Sequence, residues 1–163
     1  KPDGISWAKG MGGGFPIGSF WVAEKHAPLL GPGSHGSTYG GNALASAVSA
    51  AVIKTIIEDD LVSNVNAREA QIRETISEWD HPAITEIRGA GLILGIGIDT
   101  SQLSIPDGAV PSIHLCKELI KLGLLVPPAG PDILRLLPPL NVTADEVSQA
   151  LALFKQVLDA HQA

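Results

Sequence analysis

Lys9 stands at the mouth of a glycine cluster, Lys9-Gly10-Met11-Gly12-Gly13-Gly14-Phe15-Pro16-Ile17-Gly18, directly after the apolar run Ile5-Ser6-Trp7-Ala8. An amine that attacks a carbonyl carbon must shed its proton near neutral pH, which a lysine in a partly desolvated pocket can do. Glycines beside it let a flat or anionic ligand approach the backbone. A solvated lysine in a flexible loop is the plainer reading of the same residues. A second cluster, His35-Gly36-Ser37-Thr38-Tyr39-Gly40-Gly41-Asn42, offers the hydroxyls of Ser37 and Thr38 and backbone amides left open by glycine. A helix starting near Asn42 would aim the positive end of its dipole there, so the block reads as an anion site or as a glycine-rich turn with an ordinary helix cap. Arg135 lies in the apolar run Ile133 to Leu137, where an unpaired charge is costly. It needs either a ligand carboxylate, gripped by two parallel hydrogen bonds, or a structural Asp or Glu.

The elements that must position these residues follow from periodicity. Residues 1–42 are rich in Gly and Pro, with strand-like runs at Ile5 to Ala8 and Ser19 to Ala23 that need neighbours to complete a sheet. From Asn42 the pattern turns helical, with Leu44, Val48, Ala51, Thr55 and Ile56 on one face. A second helix is expected from Leu61 to Trp79, carrying Val65, Ile72, Ile76 and Trp79, and ended by His81-Pro82. Ile84 to Asp99 alternates and is β-branched, predicting one long strand or two joined by a glycine bulge. Ser112 to Leu122 reads as a helix closed by Gly123, and Leu124 to Val126 with Ile133 to Leu137 as a strand pair. Thr143 and Glu146 form a capping box ahead of a last helix whose apolar stripe is Val147, Ala150, Leu151, Phe154, Val157 and Leu158.

Composition narrows the partners. The chain has 163 residues, 45% of them hydrophobic, which suits one domain plus an appendage. A net charge of -6 without any basic run disfavours nucleic acid and anionic membranes. The single cysteine, Cys116, excludes an internal disulfide and reads as buried and inert, and no apolar stretch suits a bilayer span; a reducing, cytoplasmic setting is expected. No His, Cys, Asp or Glu set has metal-ligand spacing, so no metal is expected. A start at Lys1, immediately before a strand, reads as part of a longer protein.

Four blocks in order, Ala8 to Gly18, His35 to Asn42, Arg88-Gly89-Ala90-Gly91-Leu92 and Leu134 to Asn141, closely resemble the carboxy-terminal part of the class III pyridoxal-phosphate aminotransferases, and within them the acetylornithine and ornithine branch. The resemblance covers essentially the whole chain. It implies an α/β fold of the fold-type I class: the end of a large cofactor domain (1–42, with the Schiff-base lysine and phosphate loop), an interdomain helix (43–60) and a complete α+β small domain (61–163). By the same resemblance, Lys9 carries pyridoxal 5'-phosphate and shuttles the proton, and Thr38, with Ser37, meets its phosphate across a homodimer interface. Arg135 would bind a substrate carboxylate, while Arg88 holds the domain together. The implied reaction moves the amino group of an acetylornithine- or ornithine-type donor to 2-oxoglutarate. 4-Aminobutyrate transamination, an aminomutase, a decarboxylase and a non-catalytic interaction domain remain alternatives. The family's ring-stacking aromatic and its aspartate at the pyridine nitrogen do not appear, so residues 1–163 alone are expected to be inactive.

Overall fold

A computed structural model describes all of residues 1–163 and divides them into two compact units, Lys1–Asp60 and Leu61–Ala163. Each is taken by itself.

In the first unit, β1 (Gly4–Trp7) and β2 (Ser19–Val22) pair antiparallel, with Gly4 opposite Val22 and Trp7 opposite Ser19. The two apolar runs therefore complete each other, but only as a hairpin. Its aromatic residues stay open to solvent: Phe20 is 60% exposed, and Trp7 and Trp21 are 44% each. Gly12 is the one buried residue between 1 and 42. α1 (Ala43–Glu58) starts where Asn42 accepts a hydrogen bond from the Ala45 N–H at 2.9 Å. Its inward stripe is Ala45, Val48, Ser49, Val52 and Ile56, at helical spacing, rather than the expected one. Leu44, Ala51 and Thr55 are exposed.

The second unit holds the core. α2 (Leu61–Glu78), α3 (Pro111–Lys121) and α4 (Ala144–Ala160) cover a three-stranded antiparallel sheet ordered β3 (Ile84–Ala90), β4 (Ile93–Ile98), β5 (Ile133–Leu136). Leu94 and Ile96 of β4 and Leu134 and Leu136 of β5 face a cluster completed by Ile72 and Ile76 of α2, Leu115 and Leu119 of α3, and Leu151, Phe154 and Leu158 of α4. Trp79 stacks on Phe154 with ring centroids 6.4 Å apart. Burying side chains of this size stabilises by roughly 1.5–3 kcal/mol each, which is why this unit carries the fold's stability. The Thr143–Glu146 capping box forms as read, in both directions. Burial pushes the Cys116 thiol up, away from reactivity.

Two local readings change. Ile84 to Asp99 is neither one strand nor two joined by a bulge at the glycines; β3 and β4 meet in a tight hairpin with Ala90 opposite Ile93, and the register shift lies between Ile84 and Glu86. Gly89 makes the hairpin possible: at φ 116°, a Cβ there would sit 2.0 Å from the Ile93 carbonyl oxygen. Leu124 to Val126 is not a strand. Pro127 and Pro128 supply no N–H, so β5 meets the chain only beyond that segment, at the Pro128–Leu134 bridge, where the Arg135 N–H donates to the Pro127 carbonyl at 3.0 Å and the Ala129 N–H to the Ile133 carbonyl at 2.9 Å. β5 pairs instead with β4.

Arg73, not Arg88, ties this domain together. From α2 it donates to the carbonyls of Ile87 and Gly89 at 3.0 and 2.8 Å and to Glu69 at 2.9 Å, while Glu69 accepts the Gly91 N–H at 2.6 Å. The Arg73 guanidinium, and after it the Gly91 N–H, hold Glu69 below the usual carboxylate range. Arg88 is half-exposed and makes a single 3.3 Å contact with Glu86.

Candidate active site

Ala8 follows β1 in extended backbone, and the chain then tightens into a 3-10 turn over Lys9–Gly12, closed by Met11 N–H to Ala8 carbonyl at 3.2 Å and Gly13 N–H to Gly10 carbonyl at 3.1 Å. Lys9 enters that turn at φ 56°, in the left-handed region. For an L residue this conformation costs about 1–2 kcal/mol, and strain of this kind concentrates where a side chain must be presented. Lys9 is exposed and joins none of the chain's ion pairs. Within residues 1–163 its side chain is therefore open to solvent rather than in the expected desolvated pocket.

The glycines divide by role. Gly12 and Gly13 press on neighbours, since a Cβ would lie 2.8 Å from Ile17 Cγ2 and 3.0 Å from Val52 Cγ2 of α1, respectively. Gly10 and Gly14 have nothing within 4 Å. The loop is thus packed against α1 behind and open beside Lys9. Lys9, Gly10, Gly14, Phe15, Pro16 and Ile17 line one shallow recess; Pro16 and Ile17 also wall a second, shared with Ser37, Tyr39, Gly40, Gly41 and Asn42. The structure brings the lysine loop and the hydroxyl loop together across that Pro16–Ile17 wall.

Ser37 Oγ accepts the Gly40 N–H at 3.1 Å, which leaves its own O–H free to donate. Thr38 is exposed on the same loop. Asn42 caps the Ala45 N–H, and the amides of Ala43 and Leu44 in the first turn of α1 have no intrahelical acceptor. Hydroxyl protons, free amides and the helix dipole together suit an anion. Tyr39, 81% exposed, lines this recess beside Asn42 but was not singled out by type; only the fold shows it there.

Arg135 belongs to the second unit. Leu134 and Leu136 turn inward, so Arg135 points to the opposite, open face of the sheet and is exposed. The expected requirement for a buried partner falls away, because strand alternation leaves the guanidinium in water. It lies opposite Gly95, which is itself opposite Arg88, so two arginines flank a glycine on that face.

The aminotransferase class-III family model matches residues 1–158. The chain belongs to the class-III aminotransferases. It is 40% identical to the acetylornithine aminotransferase of Bacillus subtilis (strain 168), covering 100% of this chain and 40% of that protein, and 41% identical to that of Synechocystis sp., covering 97% and 36%. Among solved structures, the acetylornithine aminotransferase of Elizabethkingia anophelis superposes with a TM-score of 0.85 at 28% identity, over 98% of this chain and 41% of that one. The ornithine aminotransferase of Toxoplasma gondii, reported with partial occupancy of PLP at its active site, gives 0.86 at 27%, over 98% and 37%. This class-III chain thus spans about two fifths of the length of such relatives. No helix is long and apolar enough to cross a membrane, and no group of three or more His, Cys, Asp or Glu gathers as a metal site.

Proposed function

We propose that the longer protein containing this chain transfers the terminal amino group of an N-acetylornithine- or ornithine-type donor to 2-oxoglutarate, giving an aldehyde and glutamate, with pyridoxal 5'-phosphate at Lys9. The observation that carries this reading is the Lys9 amine, held unpaired in a left-handed turn beside glycines with open space over them. That opening fits a flat ring next to the amine, and the Ser37–Thr38 loop fits a phosphate. When bound, the cofactor supplies the aldehyde that takes up the substrate amine and the conjugated ring that accepts the electron pair left when a carbon is deprotonated.

Each remaining task falls to a residue of this chain. Lys9, once its amine is free and neutral, takes a proton from one carbon and returns it to another on the same tether. Ser37 and Thr38 donate hydroxyl hydrogen bonds to the phosphate, Thr38 to the copy bound by a second subunit of a homodimer. Arg135 grips a substrate carboxylate with its planar fork. Because Lys9 is exposed here, the walls that enclose its amine come from surfaces outside residues 1–163. For the same reason the 163-residue segment alone does not turn over.

The test is an amino-transfer assay on the full-length protein with pyridoxal phosphate, 2-oxoglutarate and each of N-acetylornithine, ornithine and 4-aminobutyrate. Lys9→Arg lowers kcat by about 10²–10⁴-fold, the usual contribution of a positioned general base. Arg135→Ala raises KM for 2-oxoglutarate. Undiminished turnover by Lys9→Arg overturns the proposal.

A further inference from the structure

Outside the lysine site, the fold brings together two imidazoles that are 47 residues apart in sequence. His114, in the first turn of α3, and His161, the residue that closes α4, face each other with Nε2 to Nε2 at 3.1 Å. Their rings are 5.0 Å apart between centroids and inclined by 76°. The excess of the centroid separation over the nitrogen separation is smaller than two ring radii, so the rings are bent away from a head-on line.

His161 Nδ1 lies 2.8 Å from the Val157 carbonyl oxygen. A carbonyl only accepts, so Nδ1 carries the proton and the Nε2 of the neutral ring presents its lone pair. Anchoring the distal ring nitrogen on a backbone carbonyl is the arrangement that orients histidine ligands in metal sites. Two nitrogens at about 2.0 Å from a tetrahedral ion are separated by about 3.3 Å, close to the separation found. Glu118, one turn beyond His114, adds negative charge; Lys121 holds its carboxylate at 2.7 and 2.8 Å. Both rings are half-buried.

We propose that His114 and His161 are a bidentate site for a borderline divalent transition-metal ion such as Zn²⁺, completed by water. The site revises the sequence-based expectation of no metal, which rested on no histidine having a second histidine at i+4; these two lie 47 residues apart. Ion entry requires only that His114 move its proton from Nε2 to Nδ1, turning the direct contact into a chelate. The ion then ties the start of α3 to the end of α4. Residues 161–163 are already pinned there, by the Ser104 N–H bond to the His161 carbonyl at 2.6 Å and the Ala163 N–H bond to the Gln102 carbonyl at 3.0 Å.

The experiment titrates Zn²⁺ calorimetrically into chelator-stripped full-length protein at pH 7.5, beside His114→Gln and His161→Gln. The expected result is a one-equivalent event in the wild type whose affinity drops at least tenfold in each variant. Hydrogen exchange at the Ser104 amide serves as the local readout, slowed at least tenfold by Zn²⁺ in the wild type and unchanged by it in the variants. Identical zinc isotherms in all three proteins, or no change in Ser104 exchange, overturn the proposal. Should one variant misfold by circular dichroism, the other decides, since each removes one of the two nitrogens.

Discussion

Replacing Lys9 by glycine separates what its backbone does from what its amine does. At φ 56° the L side chain costs about 1–2 kcal/mol, and glycine removes that strain. Glycine also gains about 0.5–1 kcal/mol of unfolded-state freedom relative to alanine, which offsets part of the relief. Both variants lack the lysine side chain, so whatever contacts it makes cancel in the comparison. Lys9→Gly in the apo full-length protein should therefore be equal to or up to about 1.5 kcal/mol more stable than Lys9→Ala, which keeps the strain. Amino transfer should fall by at least about 10²-fold in both. Differential scanning calorimetry of the two apo variants, with turnover measured on the same preparations after cofactor is added, decides the matter. A Lys9→Gly protein that melts below Lys9→Ala refutes the strain argument, and one whose turnover is undiminished refutes the role of the amine.

Gly89→Ala should destabilise the second unit by about 3 kcal/mol or more, since it combines a glycine-only φ with a Cβ placed on the Ile93 carbonyl; chemical denaturation followed at Trp79 would read it. His81, whose side chain is 3% exposed, has its pKa lowered by burial, which outweighs the raising effect of Asp159 at 3.5 Å. The unfolded chain then binds the proton more readily, so stability falls as pH drops through about 6.5; His81→Asn, which preserves an acceptor for the Ala83 N–H, should flatten the Tm profile between pH 5 and 8. Glu69 has the opposite sign of charge and the complementary window: its lowered pKa contributes stability above 4.5 that is lost as pH falls below it, and Glu69→Gln should blunt this acid limb while loosening the Gly91 turn in hydrogen exchange.

What was legible in the chain was what short-range chemistry decides. The Thr143–Glu146 box and the Asn42 cap each need only residues three apart, and both form where they were read. The core stripes of α2 and α4 followed from helical period, because their partners bury whatever apolar face is offered. Arg135 shows a local signal passed over: the alternation of Leu134 and Leu136 already turned it outward, whereas its apolar neighbours suggested burial. Other features depend on distance. The Arg73 and Glu69 grip on the β3–β4 turn joins residues 14 to 22 apart, and the meeting of His114 with His161 joins residues 47 apart. No periodicity encodes either. At the candidate site, Lys9, Ser37 and Thr38 were marked by residue type beside glycine, but their approach across Pro16 and Ile17 required the packing of the lysine loop against α1.

Sodium borohydride reduction of the full-length protein loaded with pyridoxal phosphate, followed by proteolysis and mass mapping, tests the central claim most directly. A pyridoxyl adduct on the peptide bearing Lys9, absent from Lys9→Arg, is the expected result. An adduct carried by a different lysine contradicts it.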